Sequence, residues 1–204
     1  MTETTLSHPG NREPVAFTQE ELGWLPWLEP FPAEQLTERH WAGLVDASRA
    51  KSPYFLLLAR DPDVLQARTK TDKDIFYNTR DGLPRAEREL AATATSRSNG
   101  CIFCASVHSR FATQFSKRGA DIQRLLDEGV DVDIDPRWNA VIAASVALTE
   151  TPVAFGDAQI EALRTAGLDD LEIVDVINGA AFFNWANRLM LSLGEPAARS
   201  VSAG

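Results

Sequence analysis

The chain has 204 residues, of which 44% are hydrophobic and 24% are charged, a composition ordinary for a globular protein with a sizeable core. Its net charge of −9 and its lack of a basic stripe exclude nucleic-acid binding from the expected functions, because phosphate affinity depends on clustered Lys and Arg. No signal-peptide pattern opens the sequence and no apolar run reaches the ~18 residues that span a bilayer, so we expect a cytoplasmic protein that does not bind membranes.

The first half of the sequence predicts a lead, an aromatic arm and a series of helices. Residues 1–15 are polar and contain prolines, which predicts a disordered lead before a single all-helical domain at 16–204. The stretch 17–32 combines aromatic residues with three prolines, which predicts a short helix followed by an extended, packed segment. Helices are then predicted at 33–50, 53–59, 62–78, 83–97 and 101–117.

The second half continues the alternation of helices and helix stops. Gly119 follows a basic last turn and is expected to end the preceding helix. Asp135 stands before a proline and opens a segment whose apolar residues recur with helical spacing. Further helices are predicted at 135–150, 157–167 and 169–194. Since no segment shows a convincing strand pattern, the predicted fold class is all-α, a helical bundle with an N-terminal helical or extended arm.

The chemical signal is a pair of cysteines followed by a histidine. Cys101 and Cys104 are the two cysteines of the chain; their spacing excludes a long-range structural disulfide, and two cysteines alone do not form a structural zinc site. Such a pair in a reducing compartment indicates a redox-active dithiol. Two inert buried thiols are the alternative, because free cysteines are commonly buried. At about 100° per residue, His108 falls on the same helix face, one turn beyond Cys104.

The pair also lies at the start of a predicted helix, and this position favours a redox role. Both cysteines fall in the first turn after the break at Asn99 and Gly100, where free backbone N–H groups and the positive end of the helix dipole favour a thiolate. At this spacing the two sulfurs can also close into a disulfide with little backbone movement, as thiol oxidation followed by resolution requires.

Glu89 joins this group by its distance from the turn. If the helices on either side of residues 98–100 form an antiparallel hairpin, Glu89 lies about as far before the turn as His108 lies beyond it. A carboxylate that orients an imidazole, which takes a proton from a thiol, is a common way to activate a nucleophile. An exposed Glu in an early helical turn is the alternative.

These residues resemble the pattern of the alkylhydroperoxidase D family, within the larger carboxymuconolactone decarboxylase-like superfamily. In that pattern a Glu precedes the first Cys of the pair by twelve positions, and a His follows the second Cys by four. Glu89, Cys101, Cys104 and His108 stand in this register, and the similarity covers about residues 77–120, the hairpin of the core motif. The closing segment FFNWANRLMLSLG also resembles the family's peroxidase-related branch.

The resemblance implies a bundle of the alkylhydroperoxidase D-like type and a thiol-dependent peroxidase that reduces hydrogen peroxide or alkyl hydroperoxides. Cys104 would attack as a thiolate, deprotonated through His108 with Glu89 behind it, and Cys101 would resolve the sulfenic acid to a disulfide. An external thiol or dithiol reductant would restore the pair. The resemblance also implies no metal, no organic cofactor, and a homo-oligomer, either a trimer or a hexamer. Well-studied members carry a second His between the cysteines where this chain has Phe103, so the expected proton relay is shorter.

Three other functions stay open at this level. The decarboxylase branch of the superfamily acts on a lactone acid and generally lacks the cysteine pair. A dithiol oxidoreductase or redox sensor would use the same disulfide chemistry without turning over peroxide in the cell. A non-catalytic helical oligomer with merely buried cysteines is the alternative that is not an enzyme.

The remaining histidines and a polar group near the C-terminus carry weaker expectations. His8 falls in the predicted lead, and His40 is expected to be a packed or surface residue. With three His in the whole chain, a His-rich metal site is not expected. On the last helix, Asn184, Asn187 and Arg188 are candidates for lining the pocket or an interface.

Overall fold

The computed structural model describes residues 5–78 and 80–198, and nine α-helices form most of this part of the chain. The helices are α1 (Glu38–Leu44), α2 (Pro53–Leu58), α3 (Pro62–Tyr77), α4 (Arg85–Ser98), α5 (Ile102–Ser116), α6 (Gly119–Glu128), α7 (Pro136–Thr149), α8 (Asp157–Thr165) and α9 (Asp170–Leu193). Two short strands, β1 (Leu22–Pro26) and β2 (Gly194–Ala198), complete the fold.

Three helices begin where the sequence supplies an acceptor for free backbone N–H groups. Asp61 and Asp135 cap α3 and α7 through their side chains, and each precedes a proline at the first helical position. Asp169 caps α9 in the same way. A side-chain oxygen at this position stabilises a helix start, and proline lacks only an N–H that would have no partner there. These starts agree with the predicted ones.

The helix α4 lies at the centre of the fold. All of its residues from Glu87 to Ser96 are buried, and it packs against α5, α7 and α9. Three small residues, Ala91, Ala92 and Ala94, are fully buried and let the neighbouring helices approach closely. A helix that is buried on nearly all sides must satisfy its polar side chains internally.

Two hydrophobic clusters lie on different sides of α4. The aliphatic cluster joins Leu90 and Ala94 to Leu, Ile and Val residues of α6, α7, α8 and α9. The aromatic cluster joins Ala92 to large rings and to the two cysteines. Its members include Trp24, Tyr54, Leu57, Phe76, Cys101, Cys104, Phe182, Phe183, Ala186 and Met190.

The small sheet was not predicted, although the all-α class is confirmed by the architecture as a whole. β1 and β2 pair antiparallel, with Leu22 opposite Ala198 and Pro26 opposite Gly194. The expected short helix within 17–32 is absent from the described structure, where β1 occupies that stretch. The pairing joins segments from opposite ends of the chain, so no local sequence pattern announces it. A Cβ at Gly194 would lie 2.3 Å from the Leu25 carbonyl oxygen, which requires glycine at this close approach.

The described part of the predicted lead, residues 5–15, makes contacts with the sheet. Residues 1–4 lie outside the described residues. Residues 5–15 contain no helix or strand, but Leu6 donates its N–H to the Trp27 carbonyl at 2.9 Å and His8 Nε2 lies 2.8 Å from the Pro26 carbonyl oxygen. Asn11 donates to a Glu195 carboxylate oxygen at 2.8 Å. These contacts place the described part of the segment against the sheet; the disordered lead at 1–15 and the single domain at 16–204 stay predictions.

Three helical boundaries correct the sequence-based expectations. The predicted helix at 33–50 is divided, because α1 ends at Leu44 and the next residue, Val45, has a φ of +64° that cannot continue a helix. Lys117, with φ of +62°, ends α5 in the left-handed conformation that was expected of Gly119. Gly119 instead begins α6, a helix that was not predicted.

No helix within the described residues is long and apolar enough to cross a membrane.

Candidate active site

The turn between α4 and α5 brings Glu89 and His108 together. Gly100 has φ of +75°, a conformation that glycine adopts at little cost, and it lets the chain reverse so that α4 and α5 pack along their lengths. His108 Nδ1 then lies 2.5 Å from Glu89 Oε2. The pairing inferred from equal spacing about the turn is observed, and the alternative of an exposed glutamate is wrong, since Glu89 is fully buried.

A second cation holds the other oxygen of the Glu89 carboxylate. Arg85, one helical turn earlier, donates from Nε to Glu89 Oε1 at 2.6 Å. The rings of Tyr77 and Phe115 lie 4.2 and 5.0 Å from the Arg85 guanidinium carbon, close enough for cation–π attraction. A buried carboxylate is tolerated where a cation and further hydrogen bonds compensate it, and Arg85 and His108 supply both.

The contact with Glu89 fixes which nitrogen of His108 can act on a substrate. A carboxylate accepts a hydrogen bond, so Nδ1 carries the proton and Nε2 of the neutral ring is left as an acceptor. The ring is also held edge-on against Phe183, with centroids 3.9 Å apart, and lies 5.4 Å from the Phe76 ring. The His108 ring is therefore held in one orientation, with Nε2 as its acceptor nitrogen.

The two cysteines form no disulfide. Both are buried, and their side chains are hydrogen-bonded to each other. Cys101 is the residue immediately before α5 and Cys104 lies in its first turn. A hydrogen bond from the Cys104 thiol lowers the pKa of Cys101, and the Cys104 backbone N–H and Asn187 lower it further against the opposing effect of burial. Cys101 and burial raise the pKa of Cys104 well above its ordinary value. Cys101 is therefore the more acidic of the two thiols, whereas the sequence analysis expected the thiolate on Cys104.

The two cysteines face different cavities. A cavity of about 260 Å³ is lined by Cys104, His108 and Glu89, and its volume is near the lower end of the roughly 300–1,000 Å³ typical of small-molecule pockets. Cys101 lines a separate pocket of about 50 Å³. Phe103 and Met190 line both cavities. A substrate in the larger cavity thus meets the sulfur of Cys104 first.

Three site residues were missed or only loosely anticipated by sequence reasoning. Arg85 could have been found, because it precedes Glu89 by one helical turn and i,i+4 pairs of opposite charge commonly interact. Arg68 of α3 lines the larger cavity, and no local pattern points to it. Asn187 donates to Ser96 Oγ at 3.0 Å and also interacts with both thiols.

The other candidates lie elsewhere. Asn184 accepts a hydrogen bond from Asn99 at 3.1 Å and so supports the turn. His40 accepts from the Thr37 backbone N–H at the start of α1, a local capping role. Across the described ranges 5–78 and 80–198, no group of three or more His, Cys, Asp or Glu could hold a metal ion.

Comparisons with known proteins agree with this geometry. Residues 62–147 match the model of the carboxymuconolactone decarboxylase family, and this region contains Glu89, Cys101, Cys104 and His108. The match shows that this region is similar to that family. A search of curated protein sequences finds no significant match.

Solved structures extend the likeness to nearly the whole chain. An uncharacterised peroxidase-related protein from Ralstonia eutropha JMP134 with an alkylhydroperoxidase core is 24% identical, with 92% of both chains covered and a TM-score of 0.67. A peroxidase-related protein from Silicibacter sp. TM1040 is 23% identical, covering 94% of this chain and 96% of that one, with a TM-score of 0.67. The debrominase Bmp8 is 15% identical over 80% of this chain and 87% of its own, with a TM-score of 0.65.

These comparisons confirm the recognition of an alkylhydroperoxidase D-like fold within the carboxymuconolactone decarboxylase superfamily. At these identities the structural likeness concerns the fold. The chemistry of this chain depends on the side chains around the larger cavity.

Proposed function

We propose that the protein is a thiol-dependent peroxidase that reduces hydroperoxides with the Cys101–Cys104 dithiol. The observation that carries the proposal is the meeting of Cys104, His108 and Glu89 on the wall of one cavity, with Cys101 hydrogen-bonded to Cys104 behind it. A nucleophile, an oriented base and a resolving thiol are the groups that this chemistry needs.

The first step is the oxidation of Cys104. His108 Nε2 takes the proton of the Cys104 thiol as the peroxide enters the cavity, and the Cys104 sulfur attacks the terminal peroxide oxygen. The S–O bond forms while the O–O bond breaks, and the departing alkoxide takes the proton from His108 and leaves as an alcohol. Glu89 stabilises the imidazolium that exists between these two proton transfers.

The second step is the resolution of the sulfenic acid. Cys101, whose pKa is lowered by Cys104 and Asn187, loses its proton to solvent and attacks the Cys104 sulfur as the thiolate. The S–S bond forms, the S–O bond breaks, and hydroxide leaves as water after taking one proton from solvent. An external thiol or dithiol then reduces the disulfide by exchange. The balance is one hydroperoxide and two reducing equivalents for one alcohol and one water.

Phe103 leaves His108 as the one histidine of this proton relay. It occupies the position between the two cysteines where other family members carry a second His, and it lines both cavities with a ring that cannot move a proton. The pKa of Cys104 is raised by Cys101 and by burial. The removal of its proton therefore depends on His108, which makes the Glu89–His108 pair essential to the rate.

Stopped-flow oxidation of the reduced protein by hydrogen peroxide and by tert-butyl hydroperoxide tests the proposal. Wild type should consume one peroxide per dithiol, Cys101→Ser should accumulate a sulfenate at Cys104 that a dimedone-type reagent traps, and Cys104→Ser should consume none. Equal, slow oxidation of all three proteins would contradict a peroxidase and leave the redox-sensor or structural alternatives.

A second candidate function is the reductive removal of a halogen from an aromatic compound. The aromatic side chains that line the larger cavity, among them Tyr54, Phe55 and Phe111, favour a flat apolar ligand, and the similarly folded Bmp8 is a debrominase. The dithiol would supply two electrons, releasing halide and replacing the carbon–halogen bond with carbon–hydrogen. Bromide release from a brominated pyrrole, without peroxide consumption by wild type, would favour this candidate over the first.

A further inference from the structure

The cavity beside Cys104 contains a buried cation that the proposed chemistry does not use. Arg68 of α3 lines the cavity, and its side chain is only 7% exposed. Its guanidinium carbon lies 5.9, 5.4 and 5.3 Å from the ring centroids of Tyr54, Phe55 and Phe182. Aromatic faces attract a guanidinium, but they supply no acceptor for its N–H groups.

The hydrogen bonds of Arg68 are incomplete. Its Nε and Nη1 atoms are buried and have no hydrogen-bond acceptor among the described residues. The nearest carboxylate, that of Asp72, is 3.5 Å from Nη1, an ion-pair distance too long for a good hydrogen bond. A buried donor without an acceptor is costly, and such a group in a cavity wall indicates a ligand that supplies the acceptor.

The charges around the cavity leave one positive charge in excess. Asp72 is shared by Arg68 and Arg49, each at 3.5 Å, whereas Glu89 balances Arg85. Burial, and to a lesser degree the neighbouring Arg68, lowers the pKa of Arg49, as expected where two cations share one carboxylate. An anion in the cavity would offset this excess.

The thiol pair does not supply an anion to the larger cavity. Cys101, the more acidic of the two thiols, lines the smaller pocket and not the larger cavity. Cys104, which does line the larger cavity, has a pKa raised well above its ordinary value by Cys101 and by burial. The anion that Arg68 can receive must therefore come with the substrate.

We propose that Arg68 binds the carboxylate of the substrate, which is an organic hydroperoxide with an acid group on an apolar body. The proposal rests on the peroxidase function and names its substrate class. The Arg68 fork can donate two parallel hydrogen bonds to a carboxylate, while the aromatic walls contact the body. Burial raises the pKa of Tyr54 to about 12, so its hydroxyl stays protonated and is a further donor. Hydrogen peroxide alone would leave most of the 260 Å³ unused.

The test on wild type compares three organic hydroperoxides that share one apolar body with hydrogen peroxide, which has none. Cumene hydroperoxide, its para-carboxylate and the methyl ester of that acid are turned over with an excess of dithiol, beside hydrogen peroxide. The acid should exceed the ester in kcat/KM by about tenfold or more, the order expected for a charge-assisted hydrogen bond to a buried group. Turnover of hydrogen peroxide and the ester without preference for the acid overturns the proposal and leaves the peroxidase function standing.

Variants show whether Arg68 carries the preference. In Arg68→Gln the ratio of acid to ester should fall to about one, whereas Arg68→Lys should keep part of it. Arg39→Gln is the matched control, because it removes one positive charge from the exposed pair with Asp63, and its ratio should equal that of wild type. An unchanged ratio in Arg68→Gln would show that Arg68 has only a structural role.

A binding experiment separates this proposal from the reaction. Isothermal titration calorimetry with 4-isopropylbenzoate, which contains no peroxide, should show binding to wild type and at least tenfold weaker binding to Arg68→Gln. The neutral 4-isopropylbenzamide should bind both proteins equally weakly. If wild type consumes no peroxide but binds the acid through Arg68, the peroxidase function fails and the anion site stands; equal affinity for acid and amide overturns the anion site.

Discussion

Two buried glutamates on α4 stand two residues apart and serve different purposes. Glu87 is bound by both nitrogens of the Arg137 fork at 2.9 Å, and Arg137 also bridges to Glu172 at 2.8 Å. Glu89 divides its oxygens between Arg85 and His108. The first carboxylate is saturated by a structural cation, whereas the second holds a histidine at a cavity. The partner, and not the residue type, decides which buried carboxylate can take part in proton transfer.

The difference extends to the two clusters that α4 separates. On the aliphatic side, branched side chains of α6, α7 and α9 pack around Leu90. On the aromatic side, rings and cationic side chains surround the cysteines and leave the 260 Å³ cavity. Aliphatic side chains fill space to high density, while rings that contact cations hold a cavity open.

The largest expected effect contrasts the two glutamates. Glu89→Gln removes the carboxylate that holds His108, and peroxide consumption should fall by about 10²–10⁴-fold, the usual worth of a positioned acid–base group. Glu87→Gln should lower the free energy of unfolding by about 1–3 kcal/mol, since it weakens hydrogen bonds to a charged partner, with activity changed less than about threefold. Stopped-flow kinetics and chemical denaturation measure both; equal activity losses would show that the contrast is wrong.

The pH dependence of thiol alkylation tests the pKa of Cys101 on the aromatic side. Because the Cys104 thiol is the main cause of the lowered pKa of Cys101, Cys104→Ala should raise that pKa towards its ordinary value. Wild type, with its lower folded-state pKa, reaches the full rate of alkylation by iodoacetamide at a lower pH than the variant. Asn187→Ala should move the profile in the same direction by a smaller amount. An unchanged pH profile in both variants would show that neither Cys104 nor Asn187 lowers the pKa of Cys101.

The stability of the two sides can be compared by replacing one valine with alanine on each side. Val141 is fully buried in the aliphatic cluster, and Val141→Ala should lower the free energy of unfolding by about 2 kcal/mol. Val107 is half-buried on the cavity wall, so Val107→Ala should cost less than about 1 kcal/mol. Urea denaturation measures the two values, and a larger loss for Val107→Ala would contradict the open packing of the aromatic side.

The smallest expected effects come from two threonines of α4. Thr93 Oγ1 donates to the Glu89 carbonyl at 2.7 Å, and Thr93→Val should cost about 1 kcal/mol. The buried Thr95 Oγ1 has no hydrogen-bond partner within the described residues. Thr95→Val removes an unsatisfied hydroxyl and should leave stability unchanged or raise it by up to about 1 kcal/mol. Thermal denaturation distinguishes them, and destabilisation by Thr95→Val would indicate a partner for that hydroxyl.

The sequence by itself determined the local parts of the site. The break at Gly100 and the helical period place Cys101 and Cys104 at the start of α5 with His108 one turn beyond, because each of these relations spans only a few residues. The pairing of Glu89 with His108 followed from equal helix lengths about a single short turn, so it also needed no knowledge of distant contacts. The helix starts at Asp135 and Asp169 are local for the same reason.

Only the tertiary structure decided what surrounds these residues. The packing of α3 and α9 against the hairpin brings Arg68 to the cavity and Asn187 to the thiols, and it is their burial that gives both residues their effect. The pairing of β1 with β2 joins the two ends of the chain, which no neighbouring residue specifies. The more acidic thiol is Cys101 and not Cys104, because the pKa of a thiol depends on its hydrogen-bond donors and its burial, and both are set by elements far apart in the sequence.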